Sequence, residues 1–384
     1  MSETPGTAAT AVTGPDRPAP AVGGDPQNGV RERLLWADCA KGLSIIAVCY
    51  MHVISGVPGA KDSGWQWFST VMDPVRMPMF FLISGLFAHR VISRTLGDLW
   101  YRRLWFLLVP YLVFTPVQAA IRISMTGDVT WASMLRAIAL GDPGIWFLYA
   151  LMVFNIAACL LRRVPPLVAV GMSVVPALAA AAAGLTQYNE ITHLTAYLPA
   201  FFLGLHFREV YFRLSEAASD WRVVSAAVVA YVGWERVMAD LTHRVDPDGW
   251  TSREAALMSV ASLVRIFSAV PAGILLATWI ARIPVVSTAL AAVGRNTLPV
   301  YVSHHAALFL VNAVILRRLF ESDPERWAFL TGMDTQIVIG LVTCAVAGML
   351  FYRLGRVPVL KWVLYPPALP RRRRTGQGGG LSAG

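Results

Sequence analysis

A carboxylate, an ammonium and an imidazole share one apolar stretch near the start of the chain: Asp38, Lys41 and His52. Asp38 stands one helical turn from Lys41, the spacing at which such groups pair. Lys41 and His52 are eleven residues apart. Eleven steps of about 100° return a helix to within about 20° of its start, roughly 16 Å further along the axis. The two side chains therefore share a face, Lys41 near one end and His52 well inside. An imidazole so placed can serve as general base towards a hydroxyl. It can equally be a structural histidine bonded to a neighbouring carbonyl, and from this helix alone the two readings stand level.

Other runs carry weaker signals. In Arg76-Met77-Pro78-Met79-Phe80-Phe81-Leu82-Ile83-Ser84-Gly85, Pro78 is expected to kink a helix, and Ser84 with Gly85 to permit close helix contact. Arg102 and Arg103 can bind phosphates or simply mark a cytoplasmic edge, and alone the second reading is favoured. Trp146 opens an apolar stretch as an interfacial anchor would. In Thr297-Leu298-Pro299-Val300-Tyr301-Val302-Ser303-His304-His305 the two histidines point about 100° apart, so one cavity is not expected to receive both squarely. His89, His193, His206 and His243 show no metal-ligand spacing and read as interfacial or structural, so no metal is expected.

Such residues need a scaffold, and the composition indicates which. Of 384 residues 56% are hydrophobic and 15% charged, and the mean hydropathy is +0.54. Soluble domains average about 45–50% apolar and 25% charged. The apolar residues also fall in long blocks. Ten segments suit a membrane-crossing helix: 35–57, 74–93, 101–121, 145–161, 166–185, 194–212, 222–240, 257–281, 297–316 and 334–353. The short apolar piece 284–293 reads as re-entrant or interfacial. The expected fold is all-α, a polytopic bundle of about ten spans. A disordered tail is expected over 1–33, the membrane domain over 34–365 and a basic, Gly-rich tail over 366–384.

The net charge is +10, but the arginines lie between apolar blocks and form no single patch, which argues against nucleic acid. Arg102–Arg103, Arg162–Arg163 and Arg371–Arg374 all fall on one side of a ten-span arrangement. By the positive-inside rule both termini are then cytoplasmic, in a multi-pass plasma-membrane protein. The four cysteines, Cys39, Cys49, Cys159 and Cys344, lie in apolar segments with neither disulfide nor metal spacing.

Taken in order, these runs resemble the acyltransferase family 3 membrane proteins, and within them the fucose 4-O-acetylase-like branch. The likeness covers about residues 33–355. It rests on Asp-x-x-Lys-Gly at Asp38, the Lys41-to-His52 spacing, Met-Pro-x-Phe-Phe-x-x-Ser-Gly, Arg-Arg-Leu…Pro-Tyr from Arg102, Trp-Phe-Leu from Trp146, Phe201-Phe202-Leu203-Gly204, and Gly-Arg-Asn-x-Leu-Pro-x-Tyr…His-His. Each is weak alone, and the order makes them specific. Two positions depart from the wider family: Lys41 stands where many members have Arg, and Arg76 where many have His.

The resemblance implies an integral membrane O-acyltransferase in a lipid bilayer. It would move an acyl group, usually acetyl, from acyl-CoA to a hydroxyl of a sugar, glycan or glycosylated metabolite. His52, with Lys41 and Asp38, would form the catalytic set. Arg102 and Arg103 would hold the phosphates of acyl-CoA, and Arg76, Ser84, Trp146, Tyr301 and His304 would line the cavity. The rival reading is a secondary transporter of small polar solutes. It calls for paired acidic residues in mid-membrane and related halves, neither evident in the sequence. Acceptor identity, acyl length and homo-oligomer formation are left open.

Overall fold

The computed structural model describes residues 26–126, 129–141, 144–185, 189–244 and 251–370. Helix is its sole regular structure among them. Each apolar segment named above contains a helix, in chain order. A 31-residue helix α1 (Pro26–Gly56) is followed by α2 (Gly64–Val71), α3 (Met77–Leu86) and the single turn α4 (Leu96–Leu99). A π-helical turn at Trp100–Leu104 feeds α5 (Trp105–Thr126), followed by α6 (Trp131–Leu140) and α7 (Trp146–Leu160). Then come α8 (Pro166–Ala182), α9 (Asn189–His206), α10 (Arg208–Glu216) and α11 (Trp221–Arg244). The chain ends with α12 (Ser252–Ala281), α13 (Pro284–Arg295), α14 (Thr297–Phe309), α15 (Arg317–Ser322), α16 (Met333–Leu354) and α17 (Pro358–Leu364). A second π-helical run, Leu310–Leu316, joins α14 to α15.

Five helical stretches are long and apolar enough to cross a bilayer: Leu35–Gly56, Leu96–Ser124, Ala256–Ala281, Thr297–Ser322 and Met333–Leu354. Shorter apolar helices, α3, α7 and α8, lie among them. Large apolar side chains face outward: Val338, Val342, Val346 and Leu350 run along α16 at one-turn spacing, all more than half exposed. A stripe of that kind suits lipid rather than water.

The second apolar segment departs from expectation. Its helix is ten residues long and starts at Met77, so Pro78 lies in the first turn, where no backbone N–H is required. Pro78 therefore opens α3 and does not kink it. From Pro78 to Leu86 every side chain but that of Ser84 is buried, as befits a short helix that is apolar all round.

At the N-terminus, α1 already includes residues 26–33, part of the expected tail. Extending a helix from an anchored span adds one hydrogen bond per residue without a new nucleus. The rest of that tail and residues 371–384 lie outside the described residues.

Two glycine pairs set the closest approaches. A Cβ on Gly85 would fall on the carbonyl oxygen of Phe201, and one on Gly204 on that of Leu82, so α3 and α9 meet backbone to backbone. Gly42 and Gly294 do the same for α1 and α13, against the carbonyls of Leu290 and Asp38. Close approach through small residues is how helices associate where the solvent is lipid. The piece 284–293 is thus a helix laid against the foot of α1.

Candidate functional site

The α1–α13 contact builds one end of the site. It brings Arg295 within 3.5 Å of Asp38, which also holds Lys41 at 2.8 Å. The Lys41 ammonium lies over the ring of Phe87, 5.3 Å from its centre. Arg103 reaches the same segment. Its guanidinium donates to the carbonyls of Phe87 (3.3 Å) and Ser84 (3.5 Å) at the end of α3. Those carbonyls have no partner within the helix, and a cation is well placed against that end of its dipole. Arg102 and Arg103 both lie in the π-helical turn, and Arg102 is exposed. Arg103 is thus anchored to α3, and Arg102 points to the surroundings.

The other end is a cluster of three imidazoles. The His52 ring lies 5.2 Å from that of His304 and 5.3 Å from that of His305, centre to centre. The planes of the two α14 rings stand at 80° to one another, and both rings bear on His52. His304 is 1% exposed. Its Nδ1–H donates to the Val300 carbonyl at 3.0 Å, which leaves the lone pair on Nε2. That nitrogen is buried without a hydrogen-bond partner among the described residues. Tyr301 lies beside it, ring centres 6.0 Å apart. The Tyr301 hydroxyl accepts the Phe147 backbone N–H at 3.1 Å, satisfying an open donor in the first turn of α7.

Between the two ends lies an apolar cavity of about 170 Å³, with Ile45, Val48, Phe80, Phe147, Leu148 and Tyr301 in its wall. Ile45 and Val48 are four and seven residues beyond Lys41, which places them on the Lys41–His52 face of α1. That face therefore reads Lys41, Ile45, Val48, His52, with the cavity alongside its middle. Ser84 does not reach it: its hydroxyl bonds the Phe80 carbonyl within α3.

A second polar assembly was not foreseen. Arg265 of α12 grips both carboxylate oxygens of Glu235 on α11, at 2.6 and 2.9 Å. Its third nitrogen bonds Asp73 at 2.6 Å. Asp73 pairs in turn with Arg76, which also donates to the Ser69 hydroxyl at 3.3 Å. Three of these charges, Arg76, Glu235 and Arg265, lie inside apolar segments, and that was the available signal.

The assembly borders a cavity of about 390 Å³ between α8, α9 and α12. His193 and Tyr197 form one wall and both stack on Trp146, at 4.7 and 5.7 Å between ring centres. Phe81 stacks on Tyr197 at 5.5 Å. His193, read from sequence as interfacial or structural, and Trp146, read as an anchor, belong to one aromatic column. Among the described residues no group of three or more His, Cys, Asp or Glu side chains is placed to hold a metal ion.

Comparison with known proteins agrees with this architecture. The family model described as "Acyltransferase domain", acyltransferase 3, matches residues 34–353. The chain is 23% identical over 385 aligned residues to the inner membrane protein YcfT of Escherichia coli (strain K12), covering 89% of this chain and 98% of that one. No solved structure matches. With the family model spanning α1 to the end of α16, the chain belongs to the acyltransferase 3 family of multi-pass membrane proteins.

Proposed function

We propose that the protein is a membrane-embedded O-acyltransferase that takes an acyl group, acetyl in the simplest case, from acyl-CoA and passes it to a hydroxyl of a sugar, glycan or glycosylated metabolite. The observation that carries this reading is the face Lys41–Ile45–Val48–His52. It runs from a cationic end, past an apolar cavity, to a cluster of imidazoles. The span of roughly 16 Å along α1 suits an extended pantetheine arm, with CoA phosphates at Arg102 and Lys41 and the thioester at His52.

There His52 takes the proton of the acceptor hydroxyl as its oxygen attacks the thioester carbonyl. The C–S bond breaks, an ester forms, and the departing thiolate is reprotonated from the imidazolium. Arg103 fixes the end of α3 against the donor, and Tyr301 with His304 holds the far wall. In this reading ten helical segments cross the bilayer and both termini are cytoplasmic, so the donor enters from the inside.

One observation favours a transporter as the second reading. Asp73 and Glu235 meet on Arg265, an arrangement of intramembrane charges found along solute and proton paths. The two readings separate on covalent change. Protein in lipid nanodiscs is supplied with acetyl-CoA and candidate glycosides, and free CoA and acetylated product are measured. Mass spectrometry of surface glycans from a deletion strain seeks the missing acetyl increment. Solute movement by the reconstituted protein without ester formation would overturn the acyltransferase reading.

A further inference from the structure

Resting on that acyltransferase reading, we infer that the cavity between α8, α9 and α12 is the acceptor site, and that it selects an uncharged polyhydroxylated ring, a neutral sugar. Three properties of the cavity point there. The first is size. At about 390 Å³ it falls at the small end of the roughly 300–1,000 Å³ usual for small-molecule sites, which suits one or two sugar rings rather than a lipid tail.

The second is the kind of surface. One wall is the aromatic face of His193 and Tyr197, held from behind by Trp146. Hydroxyls line it too, Thr195 on the same helix and Ser262 on α12. A sugar ring has the matching anatomy. Its C–H face packs on an aromatic ring, while hydroxyls at its edge exchange hydrogen bonds.

The third is charge. The two ionic groups that line the cavity, Asp73 and Arg265, are already paired, with each other and with Arg76 and Glu235 behind them. An anionic ligand reaching Arg265 must displace Asp73 or Glu235, and a cationic one must take a carboxylate from an arginine. A neutral hydroxyl can instead add to the network, accepting from a guanidinium N–H or donating to a carboxylate, without breaking a pair. Helix α3 lies between the two cavities, with Pro78 in the wall of this one and Met77 and Phe80 in the wall of the other. An acceptor in this cavity therefore lies across α3 from the donor path.

The test reads binding and not turnover, so its failure is distinguishable from failure of the acyltransferase reading. Saturation-transfer NMR is recorded on the full chain in lipid nanodiscs with methyl glucoside, methyl galactoside and methyl glucuronide at millimolar concentration. Ala196→Trp fills the cavity from α9, and His193→Ala removes the aromatic wall. Val260→Trp, 44% exposed on the outer surface of α12, is the control for the added indole. Wild type and Val260→Trp should transfer saturation to the neutral glycosides at least threefold more strongly than to the glucuronide. Ala196→Trp and His193→Ala should lose most of that transfer. Equal transfer in wild type and both cavity variants would overturn the site, as would no transfer to either neutral glycoside. A preference for the glucuronide would overturn the neutral-sugar assignment. Absence of CoA release by a wild-type protein that binds glycosides would instead count against acyl transfer.

Discussion

The ring of His304 lies 5.2 Å from that of His52, and its unprotonated Nε2 is buried without a hydrogen-bond partner among the described residues. Two imidazoles from opposite ends of the sequence thus meet in one cluster, and either has a lone pair to offer. Their settings differ. His304 is held by the Val300 carbonyl on its own helix, whereas His52 stands on the face that leads back to Lys41. His52→Ala is therefore expected to lower turnover by about 10²–10⁴-fold, the contribution of a positioned base. His304→Ala, which removes a wall and a neighbour, should keep partial activity. CoA release with acceptor present, from variants that purify as folded protein, checks both. Near-normal turnover by His52→Ala beside an inactive His304→Ala would move the base to α14.

At the opposite end, the two adjacent arginines should separate by function. Arg102 is exposed, whereas Arg103 donates to two carbonyls that end α3. A charge-assisted phosphate contact contributes about 1.5–3 kcal/mol, which is roughly 10- to 100-fold in affinity. Arg102→Ala should raise the acyl-CoA KM by that factor with the acceptor KM and the thermal midpoint unchanged. Arg103→Ala should lower the midpoint as well, since it uncaps α3. Identical behaviour of the two variants would show that the anchor seen at Ser84 and Phe87 does not distinguish them.

Much of this arrangement could be read from the sequence, and what was missed has a common cause. Pairing of Asp38 with Lys41 and the shared face of Lys41 and His52 follow from helical periodicity, which is local. The meeting of His52 with His304 and His305, and of Arg265 with Glu235 and Asp73, depends on which helices are neighbours, and periodicity is silent on that. Arg265 and Glu235 were visible as charges in apolar segments, but a lone charge does not name its partner. Pro78 was misjudged for a related reason. Its effect depends on whether the helix has begun, and the boundary at Met77 is set by the preceding turn at Asp73–Val75. The single extended span expected over 74–93 is a short buried helix followed by a turn at His89–Val91, because an all-apolar run reads alike in either form.

Membrane orientation remains a matter of arginine distribution, and reporter fusions address it. Fusions after Gly127 and Gly184 should report the outside, and fusions after Arg163 and at the C-terminus the inside. That pattern puts Lys41 and Arg102 on the cytoplasmic side with acyl-CoA. A C-terminus found outside would reverse the donor side and remove the phosphate role proposed for Arg102.

The glycine contacts give a stability test that does not depend on function. A Cβ on Gly85 or Gly204 would overlap a backbone carbonyl of the facing helix, and a backbone cannot swing aside as a side chain can. The helices must part, and overpacking of this kind costs about 1–3 kcal/mol. Gly85→Ala and Gly204→Ala should each lower the thermal midpoint of the purified protein. Gly171→Ala, where the new methyl meets nothing within 4 Å, should be neutral or raise it, since alanine favours a helix over glycine by up to about 1 kcal/mol.

The arginine at the centre of the ionic network makes the sharpest energetic claim. Arg265 is the shared partner of Glu235 and Asp73, with side chains 22%, 24% and 35% exposed. Removing it strands Glu235 among apolar helices and leaves Asp73 with Arg76 alone. Breaking a fully buried pair costs about 3–5 kcal/mol, and the partial exposure here puts Arg265→Met at the lower end of that range. Glu235→Leu strands less, because Arg265 keeps Asp73. If the destabilisation comes from stranded charge and not from lost packing, the double variant Arg265→Met/Glu235→Leu should be more stable than Arg265→Met alone, by about 1 kcal/mol or more. Subtracting the effect of Glu235→Leu from that difference gives the coupling energy, which is appreciable for residues in direct contact. Thermal or denaturant unfolding of the four proteins in one detergent measures it. Strictly additive losses would show that the 2.6 Å contact between Arg265 and Glu235 carries no net energy, and the network would then be no more than two surface pairs that happen to meet.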